Sequence, residues 1–350
     1  MEACRMKRIG FIFDQIISID NLRLAHYEAK MSRRPSRRKG ALRYERDLEA
    51  NLARLHDELA AETWNMHGYR CMVRVERGKH REIYYSSFHE DSLVQHAIMR
   101  VLGRRIERTF IRDVYASIPG RGTDDGIRRL RKFLDSVPLD VPVYVWKIDV
   151  RKYYQSINHD ALRSAILSVL KDARAIRLLF RIIESHVQGI PIGNALSPLF
   201  ANLLLSEFDH TVKERFRFRG YFRYLDDLVA VAVGDDAKAR LKALSAYAHE
   251  YFASIGLLIK PNEQIFPIGR GGIDFLGYVF GRRGMLLRRK TERRFRRAVC
   301  RFHKFKTAHN RMTLSSYWGM LKRMPYGLRL WFSFFSVPIQ KLKLEPEVSI

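Results

Sequence analysis

A chain of 350 residues, 47% of them hydrophobic, is long enough to bury a sizeable core and to divide into two or three subdomains. Its 64 Lys and Arg against 37 Asp and Glu leave a formal charge of +27, and a protein that basic is built to hold a polyanion, nucleic acid before any other. Cys4, Cys71 and Cys300 are too scattered for a disulfide framework or a CxxC zinc site, which fits a reducing cytoplasm; the broken apolar run 9–19 is too short for a signal peptide or membrane span, so no membrane partner is expected.

Ile9 to His26 reads as a short amphipathic helix. Ser32 to Gly40, with Arg33, Arg34, Arg37, Arg38 and Lys39, reads as a basic loop that touches phosphates or is simply solvated. Leu42 to Ala61 returns to helical pattern, with Leu48, Leu52, Leu55 and Leu59 on one face. Tyr69 to Ser87 reads as a hairpin turning at Gly78-Lys79. Lys79 and Arg81 stand near that turn, where basic residues grip a triphosphate or merely keep a hairpin soluble. Ser92 to Phe110 is a helix by the spacing of Leu93, Ala97 and Val101. Gly120-Arg121-Gly122 lies in a turn-rich loop that leads into a helix over Asp125–Leu134.

Val143 to Val150 reads as a buried strand ending at Asp149, and a helix with Leu162, Ala165, Ile166, Val169 and Leu170 at helical spacing follows. Gly189 to Pro198 is a Gly/Pro-rich turn opening an apolar helix, Leu199 to Phe208; its glycines leave bare backbone for a ligand, or only punctuate the loop. Tyr221–Tyr224 and Leu228–Val233 read as a hairpin with Asp226 and Asp227 at its tight turn. Adjacent carboxylates repel each other and resist burial, and a divalent cation with its preference for hard oxygen ligands is their natural partner. Asp149 is the candidate third carboxylate.

Asp235 to Ile255 reads as a helix with Leu241, Leu244, Ala248, Tyr251 and Ile255 inward, and Ile273–Val279 as a strand with another strand or turn through Arg283. Residues 282–306 carry twelve Lys or Arg and one acid, Glu292, while Phe295, Val299, Phe302 and Phe305 keep near-helical spacing. One face of such a helix packs and the other neutralises phosphate. Leu314 to Leu330 reads as a further helix, and the last dozen residues as loosely ordered. The sum is an α+β protein, an antiparallel sheet with helices on one side. In it Asp149 and Asp226 could hold two Mg2+ ions about 3.5–4 Å apart for an in-line displacement at a 3′-hydroxyl.

On these residues the chain resembles the bacterial reverse transcriptases, from about residue 10 to about 335. Within them it looks most like the compact kinds that include diversity-generating retroelement and antiphage defence enzymes. Tyr224-Leu225-Asp226-Asp227 matches the family's Tyr-x-Asp-Asp box, and Asp149 with Tyr154 five positions later matches its first palm motif. Gly193-x-x-x-Ser197-Pro198 resembles the motif supporting template and nucleotide, and Phe275-Leu276-Gly277 the primer grip. Lys79 and Arg81, with Phe88, Val94, Gln95 and His96, resemble the fingers motif, and Gly120-Arg121-Gly122 the loop after it.

The resemblance implies a right-hand polymerase fold: an N-terminal helical extension over 1–68, fingers over 69–140, a palm over 141–280 with 188–210 at the fingers border, and a short basic helical thumb over 281–350. It implies an RNA-directed DNA polymerase that adds dNTPs to the 3′-hydroxyl of a DNA primer on an RNA template. By it, two Mg2+ ions (or Mn2+) are held by Asp149, the Val150 carbonyl, Asp226 and Asp227. Tyr154 is a steric gate beneath the incoming sugar, and Lys79, Arg81, Ile192 and Gly193 meet the nucleotide. Arg121, Ser197, Pro198, Tyr224, Phe275, Leu276 and Gly277 meet template or primer, and Arg289, Arg293 and Arg297 meet the duplex.

The chain departs from the family pattern in three places. Ile192 stands where the generic motif has Gln, as it is also lost in diversity-generating enzymes, but those usually read Ser-Gln where this chain has Ser197-Pro198. The Lys of the fourth palm motif is not obvious: Glu263 lies near its place, and Lys260 is the candidate substitute. No maturase or endonuclease motif follows the thumb, so intron mobility is not expected. The leading expectation is copying of a dedicated non-coding RNA in antiphage defence. Error-prone diversification, template-independent or protein-primed synthesis and a non-catalytic RNA-binding scaffold are the alternatives, and an accessory protein or homo-oligomer is left open.

Overall fold

A computed structural model describes residues 8–32, 39–76, 79–86, 88–269 and 271–335. The heart of the expected basic loop (33–38), turn residue Gly78, the Lys79 side chain and the C-terminal tail from residue 336 lie outside the described residues.

The first apolar run folds as two helices rather than one. Ser18 takes an extended ψ of 138° and separates α1 (Phe13–Ile17) from α2 (Ile19–Ser32). The second run also breaks. Asp47, at φ −129° and ψ 49°, parts α3 (Lys39–Tyr44) and a 3-10 turn from α4 (Leu48–Ala60). Leu52, Leu55 and Leu59 are buried as their spacing predicts, and Leu48 is partly so. The hairpin forms as β1 (Tyr69–Glu76) and β2 (Lys79–Ser86), in antiparallel register from Tyr69↔Ser86 to Glu76↔Lys79. Next, α5 (His89–Ile98) runs through a π-helical turn into α6 (Arg104–Glu107), and α7 (Thr123–Asp135) follows.

The predicted buried strand is β3 (Val143–Asp149). Five helices intervene before the hairpin: α8 (Tyr153–Ser156), α9 (His159–Val169), α10 (Ala173–Glu184), α11 (Ser197–Leu204) and α12 (Ser206–Glu214). The sequence reading did not anticipate α10, and it drew the helix after Ser197 as continuous across the break at Leu205. Asp172 caps α10 and also accepts the Ile12 and Phe13 amides at 2.7 and 3.0 Å, tying the N-terminal helices to it. Then come β4 (Gly220–Tyr224), β5 (Asp227–Val233), α13 (Ala237–Ser254) and β6 (Gln264–Pro267). Together β4-β5-β3-β6, in that order, make an antiparallel four-stranded sheet.

Strand period two decides where each core lies. Trp146, Ile148, Tyr221, Leu228, Ala230 and Ala232 point into one core, shared with the N-terminal helices and with α8–α13. Val143, Val145, Phe222, Val229 and Val231 point into a second core on the opposite face. That second core is completed by a three-stranded sheet, β7 (Ile273–Phe275), β8 (Tyr278–Gly281) and β9 (Gly284–Leu287), and by α14 (Arg289–Lys304), α15 (Ala308–Leu321) and α16 (Pro325–Phe332). Phe295, Val299 and Phe302 of α14 face inward, but Phe305 ends the helix and is exposed, against expectation. The helix expected over 314–330 is interrupted before Pro325, which opens α16. The α+β class and antiparallel sheets are as the sequence predicts.

Candidate active site

The acidic hairpin is tighter than its sequence suggests. Tyr224 pairs directly with Asp227, so only Leu225 and Asp226 span the turn. Asp227 is the first residue of β5 and lies in register with Asp149, the last residue of β3. The expectation that both acids occupy the turn is corrected accordingly: pairing on both sides draws Asp227 into the sheet. Leu225 adopts φ +55°, a left-handed conformation that costs a side-chain-bearing residue about 1–2 kcal/mol. Two contacts hold it. The Val150 amide donates to the Asp226 carbonyl at 3.1 Å, and Arg223 Nη1 donates to the Leu225 carbonyl at 3.3 Å.

Arg223 is fully buried, and so is its partner Asp209 on α12. Arg223 Nη2 and Nε donate to the Asp209 carboxylate at 2.6 and 2.8 Å, and Nη1 and Nη2 reach the Asn202 side chain and carbonyl at 3.1 Å each. Tyr221 donates its hydroxyl to the same Asp209 at 2.7 Å. The residue immediately before the acidic box thus anchors the box to α11 and α12.

The acids crowd one another on the second-core face of the sheet. Burial, with the Asp149 charge added, pushes the Asp226 carboxyl up to about 6. Burial also raises Asp227, against the pull of Lys147. Lys147 Nζ is 2.9 Å from Asp227 Oδ1, yet that buried oxygen has no well-directed hydrogen bond. We read the pair as a close Coulombic contact, because the distance is met and the angle is not. The Lys260 ammonium donates to Asp149 Oδ1, and the Lys260 amide donates to the Asp149 carbonyl at 2.9 Å. Glu263, near the place expected for a fourth palm motif, stands apart from the acids and accepts from Trp146, Ser245 and His249.

Among the described residues no three His, Cys, Asp or Glu side chains already form a metal cage. The donors nonetheless suit Mg2+ or Mn2+. They are hard carboxylate oxygens, one carboxyl is destabilised by its neighbour's charge, and one buried oxygen lacks a directed partner. Asp149, Asp226 and Asp227 would hold such ions.

The other predicted residues divide. Of the adjacent tyrosines, Tyr153 is core, its hydroxyl on the Ala201 carbonyl at 2.5 Å. Tyr154 is half-buried against the first core, its phenol pKa raised by burial and then by the Asp226 charge. Arg81 is exposed on β2 opposite Arg74. The turn of Ile192 and Gly193 docks on that hairpin: the Tyr84 amide donates to the Ile192 carbonyl at 2.7 Å, and a Cβ on Gly193 would lie 2.7 Å from the Tyr84 carbonyl. A Cβ on Gly189 would lie only 2.3 Å from the Tyr154 carbonyl. These glycines therefore admit the chain's own backbone, where the sequence left open bare backbone for a ligand or plain loop punctuation.

Ser197 is buried, with Pro198 beside it in the first turn of α11. Arg121 turns back on its own loop, donating to the carbonyls of Ile111 at 2.7 Å and Val114 at 3.4 Å. Phe275 is fully buried, so its side chain supports the β7–β8 turn from beneath, while Leu276 and Gly277 form the turn with positive φ at both positions. Tyr224 packs partly against the second core. Arg289, Arg293 and Arg297 lie one turn apart along α14 and are all exposed. Sequence reading did not single out Lys147, although its place two residues before Asp149 puts both on one strand face.

A family profile described as Reverse transcriptase (RNA-dependent DNA polymerase) matches residues 89–280, more than half of the chain. The chain belongs to this family. It is a nucleotidyltransferase of the RNA-directed DNA polymerase class. YkfC of Escherichia coli K12 is 24% identical over 274 residues, spanning 66% of this chain and 71% of YkfC. A 91 kDa protein in the cob intron of Schizosaccharomyces pombe is 26% identical over 196 residues, 49% of this chain but 23% of that protein. Among solved structures, a C-terminally truncated apo telomerase from Candida tropicalis matches with TM-score 0.48 and 14% identity, over 64% of this chain and 55% of the telomerase. Telomerase from Candida albicans with a TWJ fragment of telomeric RNA matches with TM-score 0.49 and 11% identity, over 78% and 55%. The chain thus spans 55% of the length of each of these telomerase chains.

Proposed function

We propose that this reverse transcriptase extends a DNA primer by dNTP addition on an RNA template, using Asp149, Asp226 and Asp227 as its metal-holding acids. The observation that carries this is the register of Asp149 with Asp227 across β3 and β5, with Asp226 one residue away in a turn that Arg223 holds. The Val150 carbonyl is a further ligand. When bound, paired divalent ions activate the 3′-hydroxyl and neutralise charge on the leaving pyrophosphate. The Lys260 ammonium sits on Asp149 Oδ1, in place to serve the pyrophosphate as acid. Lys79, Arg81, Ile192 and Gly193 are assigned to the nucleotide. Leu276, Gly277, Tyr224, Ser197 and Pro198 are assigned to primer and template, and Arg289, Arg293 and Arg297 to the duplex. In this reading the extension, fingers, palm and thumb divide at residues 68, 140 and 280.

Tyr154, five positions after Asp149 and half-buried, is the sugar gate, since a bulky ring there rejects one extra oxygen by clash. Tyr154→Ala is expected to narrow the dNTP-over-rNTP ratio of kcat/KM by about 10–200-fold, the scale of a small steric difference in a pocket. Unchanged sugar selectivity removes the assignment. The exposed α14 arginines make duplex affinity salt-sensitive, and a loss of ~10³-fold between 50 and 200 mM salt is expected. A nearly flat titration would take the basic helix out of the interface.

For the template we propose a dedicated non-coding RNA copied in antiphage defence, in a cytoplasmic setting, with an accessory protein or a second copy as a further partner. Ser197-Pro198 supports defence over diversification, while Ile192 in place of Gln is shared with the error-prone enzymes. No helix among the described residues is long and apolar enough to cross a membrane. Sequencing the nucleic acid that copurifies tests this reading: one structured RNA species supports it, and an RNA matching an imperfect repeat beside a variable gene replaces it with diversification. Extension without added RNA would point to template-independent or protein-primed synthesis.

A further inference from the structure

We propose that Lys147 is a positioning residue that locks Asp227 and the β7–β8 turn into one frame, fixing the offset between the acids and the primer terminus. The proposal rests on the polymerase reading above. The three-stranded sheet shares no ladder hydrogen bond with the four-stranded sheet that carries the acids. Their apolar contact is non-directional and tolerates sliding. Lys147 supplies a directional hydrogen bond to β7 and a close Coulombic contact to Asp227. Its ammonium lies 2.9 Å from Asp227 Oδ1, donates to the main-chain carbonyl of Asp274 in β7, and stands 6.0 Å from the centre of the Phe275 ring. The Asp274 carboxylate in turn accepts from Arg288 Nε, one residue before α14 begins. A polar chain therefore runs from Asp227 through Lys147 and Asp274 to Arg288, at the root of the basic helix. Leu276 and Gly277 follow Asp274 by two and three residues, so a shift of β7 moves the turn that meets the primer.

A valine at position 147 would fill this strand face without the cost of desolvating a charge. The lysine therefore needs a reason, and the bridge between the sheets is the one its contacts give.

Single-turnover extension on a preformed primer–template tests it. Lys147→Met should slow nucleotide addition by about 100-fold, the effect of a misplacement near 1 Å. Duplex affinity and apparent dNTP affinity should stay close to the parent. Lys147→Arg, which can span both contacts, should recover most of the loss. Combined with Arg288→Gln, Lys147→Met should cost less than the sum of the two changes, because both cut one chain. The proposal is overturned by a Lys147→Met rate near the parent, by a loss that Lys147→Arg shares in full, by a fall in duplex or dNTP affinity that accounts for the loss, or by strict additivity with Arg288→Gln. Failure of the unaltered enzyme to extend on RNA would overturn the polymerase reading instead.

Discussion

Replacing Asp226 and Asp227 together by alanine is expected to lower dNTP addition by about 10³-fold or more, the scale seen when a catalytic unit is removed, with RNA affinity within a few-fold of the parent. The two effects separate because the acids contribute nothing attractive to a polyanion, and the basic surface that does, including Arg289, Arg293 and Arg297, is left intact. Undiminished incorporation by the purified double variant would refute the metal assignment.

The pH dependence follows from the same carboxyls. Asp226 is pushed up to about 6 by burial and by Asp149. A raised folded-state value means that the fold favours the protonated form. The stability this group contributes is complete below the ordinary carboxylate range and is lost as pH rises through about 6. Asp226→Asn removes that loss. In metal-free buffer its melting temperature should match the parent at pH 4 and exceed it by a few degrees at pH 8, with the gap opening across the interval to about 6. Activity should move the other way: the parent needs the ionised form, so its Mg2+ requirement should climb as pH falls toward 6. A variant less stable than the parent at pH 8 would mean that Asp226 is held by an attraction the geometry does not contain.

Asp209→Ala is expected to destabilise the fold by about 3–5 kcal/mol, because it strands a fully buried guanidinium. Few other side chains here touch so much. Arg223 joins the acidic turn to α11 through Asn202 and to α12 through Asp209, and Asp209 also satisfies Tyr221. Urea unfolding followed by tryptophan fluorescence checks the magnitude. A second variant separates stability from positioning. Arg223→Met with Asp209→Leu replaces the pair by apolar groups of similar bulk and should recover most of the stability. It leaves the Leu225 carbonyl without its donor, so activity should remain depressed after stability returns. Full activity in that double variant would show that the Val150–Asp226 contact alone holds the turn.

The local pattern of the chain determined a good deal. Alternation in β3 and the apolar run of β5 specify strands buried on both faces, and the spacing of Phe295, Val299 and Phe302 specifies which side of α14 packs. Tyr224 to Asp227 and Asp149 mark the site because paired acids between apolar strands have few other uses. All of these signals have periods of a few residues, so they survive in one dimension.

Tertiary structure decided the rest. Strand register moved Asp227 out of the turn and set it opposite Asp149. The breaks at Ser18, Asp47 and Leu205 turn helices so that their apolar faces reach a shared core, which no single segment records. Gly189 and Gly193 yield to the backbones of Tyr154 and Tyr84, and Arg121 folds back on its own loop. The charge balance of the site was the least legible part. Lys260 reaches Asp149 across 111 residues, and Lys147 meets Asp274 across 127. Side chains so distant in sequence become neighbours only when the chain folds, and at that point Lys147, which motif spacing did not single out, joins Lys260, which it offered only as a candidate, to complete the environment of the acidic hairpin.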